Sequence, residues 1–98
     1  MNIKQQRDND KLTVFIDGKI DTSTAPGLWE ELQKLIPGVK ELTLDFEKVE
    51  YISSAGLRVL LMTNKAMSEQ GEMIIKNVND DIMEVFELTC FVDVLKIV

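Results

Sequence analysis

Residues 44–61, LDFEKVEYISSAGLRVLL, decide the fold that we predict for this chain. From position 41 to position 46 apolar residues alternate with polar ones, which is the pattern of a half-buried strand. After Ser53 and Ser54 the apolar residues follow helical spacing, and Gly71 is the expected left-handed cap of this helix. The stretch therefore predicts a strand and a long helix joined by a junction that contains two serines.

The same reading divides the rest of the chain into strands and helices in alternation. The predicted elements are a strand over 12–17 with an extended piece near Ile3 beside it, a helix after the Asp21–Thr24 cluster, a strand over 73–76, a helix capped by Asn79 or Asp80, and a short strand or extended tail over 92–98. Such alternation implies right-handed crossovers between parallel strands. We therefore predict a single α/β domain over residues 1–98, with a small, mostly parallel sheet, an antiparallel N-terminal edge and helices packed on the sheet.

The composition excludes several classes of function. The chain has 98 residues, with 17 acidic against 11 basic side chains and a net charge of −6, so its surface is poorly suited to nucleic acid. It contains no histidine, which excludes Ser-His-Asp and Cys-His catalysis and metal binding through imidazole. We expect no enzyme activity, no metal and no cofactor.

Other residues indicate a cellular location. No apolar run approaches the roughly 20 residues of a membrane helix, and the polar start Met1–Arg7 differs from a signal peptide. The single cysteine, Cys90, cannot form an internal disulfide, and we expect it to be an inert, small hydrophobic side chain among apolar neighbours. These features favour a cytoplasmic protein that does not insert into a membrane.

Two interpretations are open for Ser53 and Ser54 at the start of the long helix. A serine hydroxyl can cap a helix by accepting a backbone hydrogen bond, which is the commoner role at this position. The same place suits a phosphate, because free N–H groups and the helix dipole favour an anion, and phosphorylation would add about −1.5 to −2 charges. Gly56 is equally open, since it allows either close packing of the helix on a strand or close approach by a partner.

A second helix entrance, Asp21–Thr24, has the same character. In a parallel sheet both entrances lie at the carboxyl ends of strands, where α/β proteins commonly place their sites, although Asp21 can also simply stabilise the helix dipole. The long helix begins with an apolar run from Leu57 to Met62, which indicates either burial or an exposed patch for a partner. Arg58 interrupts this run, either as a solvated side chain or as a cation near a phosphorylated serine.

The whole chain resembles the STAS domain family and, within it, the small bacterial anti-sigma-factor antagonists. The stretch 44–61 carries the resemblance most specifically; Gly18–Asp21 with Thr24-Ala25 matches the family's first strand-to-helix turn, and Gly71–Met73 with 85–97 matches its C-terminal half. The resemblance implies a protein that binds an anti-sigma factor with serine kinase activity and so frees a sigma factor. It also implies inactivation by phosphorylation of one serine and reactivation by a PP2C-type phosphatase.

Residue by residue, the family's phosphorylated serine aligns with Ser54. The resemblance also implies a partner-binding surface at the two helix entrances, made of Asp21, Thr24, Ser53, Ser54, Ala55, Gly56, Leu57 and Arg58. Two positions depart from the family's pattern, because Ser53 replaces the usual Asp before the phosphorylated serine and Ala55 replaces the usual Ser or Thr after it. Ser53 is therefore an alternative acceptor, while the missing hydroxyl at Ala55 favours Ser54.

A second class of function stays open for the same fold. A STAS-type accessory or scaffold subunit, in a lipid-transport ATPase or a stress-signalling complex, would bind its partners without phosphorylation. The apolar start of the long helix favours this role if that run is exposed. The surroundings of the helix in the folded protein therefore bear on the choice between the two functions.

Overall fold

The computed structural model describes residues 1–98, and one five-stranded sheet with its strands side by side in chain order organises them. The strands are β1 (Asn2–Asp8), β2 (Lys11–Ile20), β3 (Glu41–Ile52), β4 (Glu72–Lys76) and β5 (Lys96–Ile97), and the helices are α1 (Ala25–Leu35), α2 (Ser54–Ser68) and α3 (Asp80–Leu88). β1 runs antiparallel to β2, and the other neighbouring pairs are parallel. The predicted α/β fold, with its antiparallel N-terminal edge, is confirmed.

A core of 23 buried apolar residues lies between one face of the sheet and the helices. Along β2, Leu12, Val14 and Ile16 are buried, whereas the residues between them are not. The helices contribute Leu28 and Leu32 from α1, Leu60 and Met67 from α2, and Phe86 from α3. Because apolar burial is the main favourable term in folding, this core holds α2 against the sheet and fixes the position of its N-terminus.

β2 and β3 were predicted in the right place but too short. From the Phe15–Asp45 pair to the Asp17–Lys48 pair the register advances three residues on β3 against two on β2, and it slips again after Gly18. β3 therefore carries an extra residue at each of two bulges, which change the side of the strand that faces the core. Its buried residues stop alternating for this reason, and the sequence pattern fades before the strand ends.

Two local predictions were wrong. Gly71 lacks the left-handed backbone expected of a helix cap; instead, a Cβ atom there would overlap the carbonyl oxygen of Lys40, so glycine is needed because two backbones approach closely. Cys90 is exposed rather than packed among apolar side chains, and its φ is 63°. After it the chain makes a 3-10 turn at Phe91–Asp93 and ends in the two-residue strand β5, which confirms only the short strand within the predicted tail.

Candidate functional site

The junction between β3 and α2 places its two serines in different environments. Ser53 is the N-cap, with extended backbone (φ −96°, ψ 176°), and its hydroxyl accepts a hydrogen bond from the Gly56 N–H at 3.4 Å. The Ser53 N–H donates to the Ile20 carbonyl at 2.8 Å, which ties the junction to the end of β2. Ser53 is half-buried. The Ser53 hydroxyl therefore caps α2, which is the commoner of the two roles that the sequence left open for these serines.

Ser54 is the first residue of α2, and it is exposed. The N–H groups of a first helical turn have no partner within the helix. In α2 the Ser53 hydroxyl accepts one of them, the N–H of Gly56. The aligned peptide dipoles add the equivalent of about half a positive charge at this end of the helix. The arrangement presents the Ser54 hydroxyl to solvent where a negative charge is stabilised.

Gly56 and Leu57 are buried beneath this junction. A Cβ atom at Gly56 would lie 2.7 Å from side-chain carbons of both Ile20 and Ile52, which is closer than real Cβ contacts come. Leu57 is only 8% exposed. Close packing therefore explains why residue 56 is a glycine, and no partner is needed to explain it. Gly56 and Leu57 support the junction from the core and are not exposed at the surface.

The Asp21 carboxylate organises the turn between β2 and α1. Its Oδ1 accepts hydrogen bonds from the Ser23 hydroxyl at 2.7 Å, the Ser23 N–H at 2.9 Å and the Thr24 N–H at 3.1 Å. Led by those of the Ser23 hydroxyl and the Thr24 N–H, these bonds hold the pKa of Asp21 below its usual value, because they stabilise the charged form. The Thr24 hydroxyl donates to the Lys19 carbonyl at 2.7 Å. This second entrance is thus a fixed turn that keeps one negative charge close to α1.

A shallow groove of about 360 Å³ separates the first turns of α1 and α2. The residues that line it are Thr22, Ala25, Pro26 and Trp29 on one side and Ala55, Arg58, Val59 and Met62 on the other. The groove is mostly apolar, and Arg58 supplies its only charged side chain. Arg58 lines the groove and lies one helical turn after Ser54, so the groove and the exposed serine are adjacent on α2.

The α1 side of this groove was missing from the predicted site. Trp29 is only half-buried, whereas its neighbour Leu28 is fully buried. Consecutive helical residues point about 100° apart, so both could not occupy the centre of the buried face. Trp29 lies three positions after Pro26, and both residues line the groove. Because residues three apart lie on the same face of a helix, this spacing could have indicated a second exposed face of α1.

Outside this surface a smaller cavity, of about 160 Å³, lies against β1, β2 and β3, and no residue of the predicted site lines it. The acidic side chains of α3, namely Asp80, Asp81, Glu84 and Glu87, are exposed. No group of three or more His, Cys, Asp or Glu side chains is arranged to hold a metal ion. α2 is the longest helix, with 15 residues, and none of the helices combines the length and the apolar character that crossing a membrane requires. We therefore place the candidate site at the first turns of α1 and α2.

Comparison with known proteins identifies the family. The STAS domain family matches residues 1–98, so the chain belongs to this family. An anti-sigma-B factor antagonist from Listeria monocytogenes is 34% identical over 104 aligned residues, which cover 99% of this chain and 90% of the relative.

Two solved structures support the fold. An anti-sigma factor antagonist from Mycobacterium paratuberculosis has a TM-score of 0.89 at 20% identity, covering 98% of this chain and 83% of that one. The Bacillus cell fate determinant SpoIIAA in its phosphorylated form has a TM-score of 0.74 at 13% identity, covering 99% of this chain and 91% of that one. At these identities the likeness concerns the arrangement of strands and helices.

The structure brings most of the predicted site residues to one surface. The hydrogen bond from Ser53 to the last residue of β2 places the two helix entrances side by side. The exposed or half-buried members of the predicted set are Asp21, Thr24, Ser53, Ser54, Ala55 and Arg58, whereas Gly56 and Leu57 are buried. Phosphorylation and partner binding at this surface remain predictions.

Proposed function

We propose that this protein is an anti-sigma-factor antagonist. In its unphosphorylated form it binds an anti-sigma factor that is also a serine kinase, and the sigma factor is released. Phosphorylation of Ser54 by that kinase switches the antagonist off, and a PP2C-type phosphatase restores it. The relative named as an anti-sigma-B factor antagonist supports this class of function, and the exposed Ser54 at the start of α2 supports the switch.

Ser53 and Ser54 differ in exposure and in hydrogen bonding, and this difference favours one of them as the phosphate acceptor. Phosphoryl transfer needs a hydroxyl that can approach the γ-phosphate of ATP in line with the leaving group. The Ser53 hydroxyl is half-buried and already caps α2, so modification there would sacrifice a cap worth about 1 kcal/mol. Ser54 is exposed and leaves the cap in place. We therefore assign the phosphate to Ser54.

A phosphate on Ser54 would change the surface rather than the fold. It would add about −1.5 to −2 charges at the positive end of the α2 dipole, where a negative charge is favourable. The fold would therefore persist, while a partner seated on the groove would meet a new anion beside it. This is how a modification at the edge of the groove turns binding off.

The acceptor is tested by incubating the purified protein with ATP and the anti-sigma kinase of the same organism. Mass spectrometry of the product should find one phosphate, on Ser54. The Ser54→Ala variant should take up none, whereas Ser53→Ala should still be modified. Transfer to Ser53 alone, or no transfer to the wild-type chain, would contradict the proposed switch.

Binding to the same kinase is measured by calorimetry with variants at the serine. Ser54→Ala should bind within about twofold of wild type, and Ser54→Asp about tenfold or more weakly, since a tenfold loss corresponds to only about 1.4 kcal/mol. Ser68→Asp is the matched control, because Ser68 is an exposed serine at the far end of α2. Equal affinities for all of these proteins would mean that charge at position 54 does not control binding.

An accessory subunit that works without phosphorylation has no specific observation in its favour. The apolar start of α2 supported that role on the condition that it is exposed. Leu57, Val59 and Leu60 are at most 8% exposed, and only Leu61, at 38%, clearly reaches the surface of that run. Most of the apolar run therefore packs the core, although Val59 and Met62 also line the groove. The accessory role rests on the fold alone.

A further inference from the structure

Arg58 is a cation without an ion-pair partner in a protein of net negative charge. α2 contains Arg58 and Lys65 but no acidic residue, in a chain whose net charge is −6. Arg58 is exposed and takes part in none of the three ion pairs of the protein. Its guanidinium therefore has no partner within the chain, although such groups readily pair with carboxylates and phosphates.

The spacing along α2 brings Arg58 within reach of Ser54. Residues four apart in a helix lie on the same face, with their Cβ atoms about 5–6 Å apart. Helical side chains also lean toward the N-terminus, so a residue covers the turn that precedes it. The long Arg58 side chain can therefore reach over the turn that begins at Ser54 and meet a phosphate on that serine.

Arg58 also borders the apolar groove between α1 and α2. A mostly apolar groove with one cation at its margin is complementary to a protein segment that presents an apolar side chain next to a carboxylate. Trp29 and Met62 supply the apolar walls, and the segment's carboxylate would pair with Arg58. The groove would not suit a basic segment, since Arg58 would repel it.

We propose that Arg58 is the residue through which phosphorylation acts. In the unphosphorylated protein Arg58 pairs with a carboxylate of a partner segment whose apolar side chain fills the groove. In the phosphorylated protein the phosphate on Ser54 captures the same guanidinium, so the partner loses its ion pair and meets a new anion. This inference rests on the proposed function and adds the chemistry of the partner and the means of its release.

The capture half is tested on the protein alone, with phosphoserine incorporated at position 54 by an expanded genetic code. The second pKa of the phosphate is read from the pH dependence of its ³¹P NMR shift. Arg58 stabilises the dianion and lowers this pKa, so Arg58→Gln should raise it by about 1, because the capture must stabilise the pair about tenfold to withhold a tenfold gain in affinity from the partner. Lys65→Gln is the matched control, because Lys65 lies about 16 Å from Ser54 along the helix axis, beyond the screening length of about 10 Å at 0.1 M salt.

The partner half is tested by calorimetry with the anti-sigma factor of the same organism. Without phosphate, Arg58→Gln should bind about tenfold more weakly than wild type, and Lys65→Gln within about twofold. The loss of affinity on phosphorylation should then be about tenfold smaller in Arg58→Gln than in wild type, because the guanidinium is no longer there to be captured.

The outcomes separate this inference from the function on which it rests. Wild-type affinity in Arg58→Gln, strictly additive effects of the variant and the phosphate, or an unchanged phosphate pKa would each overturn the role of Arg58 while the antagonist function stands. Failure of the wild-type chain to bind the anti-sigma factor would contradict the proposed function and, with it, the partner half of the inference. The NMR titration decides the capture half in either case.

Discussion

Gly56 and Gly27 both lie in the first turn of a helix, but only Gly56 is required by its surroundings. A Cβ atom at Gly56 would lie 2.7 Å from Ile20 and Ile52 side-chain carbons and 3.0 Å from the Ile20 carbonyl oxygen, whereas a Cβ atom at Gly27 would meet nothing within 4 Å. Glycine costs a helix up to about 1 kcal/mol relative to alanine. Packing offsets this cost at Gly56, and nothing in the structure offsets it at Gly27.

The two positions should therefore respond to alanine with opposite signs. Gly56→Ala should lower the free energy of unfolding by about 1–3 kcal/mol, because Ile20 and Ile52 must shift to admit a methyl group. Gly27→Ala should raise it by about 0.5–1 kcal/mol through helix propensity and a less flexible unfolded chain. Urea denaturation of the three proteins measures both changes. A stabilising Gly56→Ala would show that the junction is looser than its contacts indicate.

Sequence alone could not decide between the two roles of Gly56. A glycine that packs against a strand and a glycine that admits a partner look the same in the printed chain, since what matters is the set of atoms around a missing Cβ. Gly71 shows the same limit, because its neighbour is the distant backbone of Lys40. Ser53 and Ser54 were only partly separable, since either hydroxyl can cap a helix that begins beside it.

At the scale of elements, the starts of helices and the regular parts of strands were predictable. Ser53 and Asn79 cap their helices through hydrogen bonds to backbone groups only three residues away, so the residue types alone predict these helix starts. The bulges of β3 depend on its pairing with β2, and nothing local encodes that register. The groove escaped prediction for the same reason, since it exists only where two helices that are distant in sequence pack side by side.

Asn79 joins α3 to β3 and gives a test of element-level stability. Its Oδ1 accepts the Ile82 N–H at 2.8 Å, and its Nδ2 donates to the Val49 carbonyl at 3.1 Å. Asn79→Ala loses both bonds and should lower the free energy of unfolding by about 1–2 kcal/mol. Asn79→Ser keeps a capping hydroxyl but is too short to reach Val49, so its loss should be about half as large. Thermal unfolding followed by circular dichroism compares them, and equal losses would mean that the cap contributes nothing.

At the scale of the whole molecule, the charge is unbalanced and little of it is paired. The chain carries a net charge of −6, and its three ion pairs have N–O distances of 3.5–3.9 Å. Two of these pairs are exposed on both sides, and exposed pairs contribute about 0–1 kcal/mol each. Repulsion among the remaining carboxylates therefore outweighs attraction, and α2, with two cations and no acid, is the local exception to the negative field.

This imbalance predicts an unusual response of stability to salt. At pH 7, raising NaCl from about 10 mM to about 150 mM shortens the screening length from about 30 Å to about 8 Å and weakens the self-repulsion of the compact state. The melting temperature should rise by a few degrees, since about 1 kcal/mol corresponds to about 4–8 °C in a domain of this size. Near pH 4.5, the isoelectric point, the same salt should have almost no effect, because the net charge that it screens is gone. A melting temperature that falls with salt at pH 7 would mean that the few ion pairs outweigh the repulsion, because salt would then be screening a net attraction.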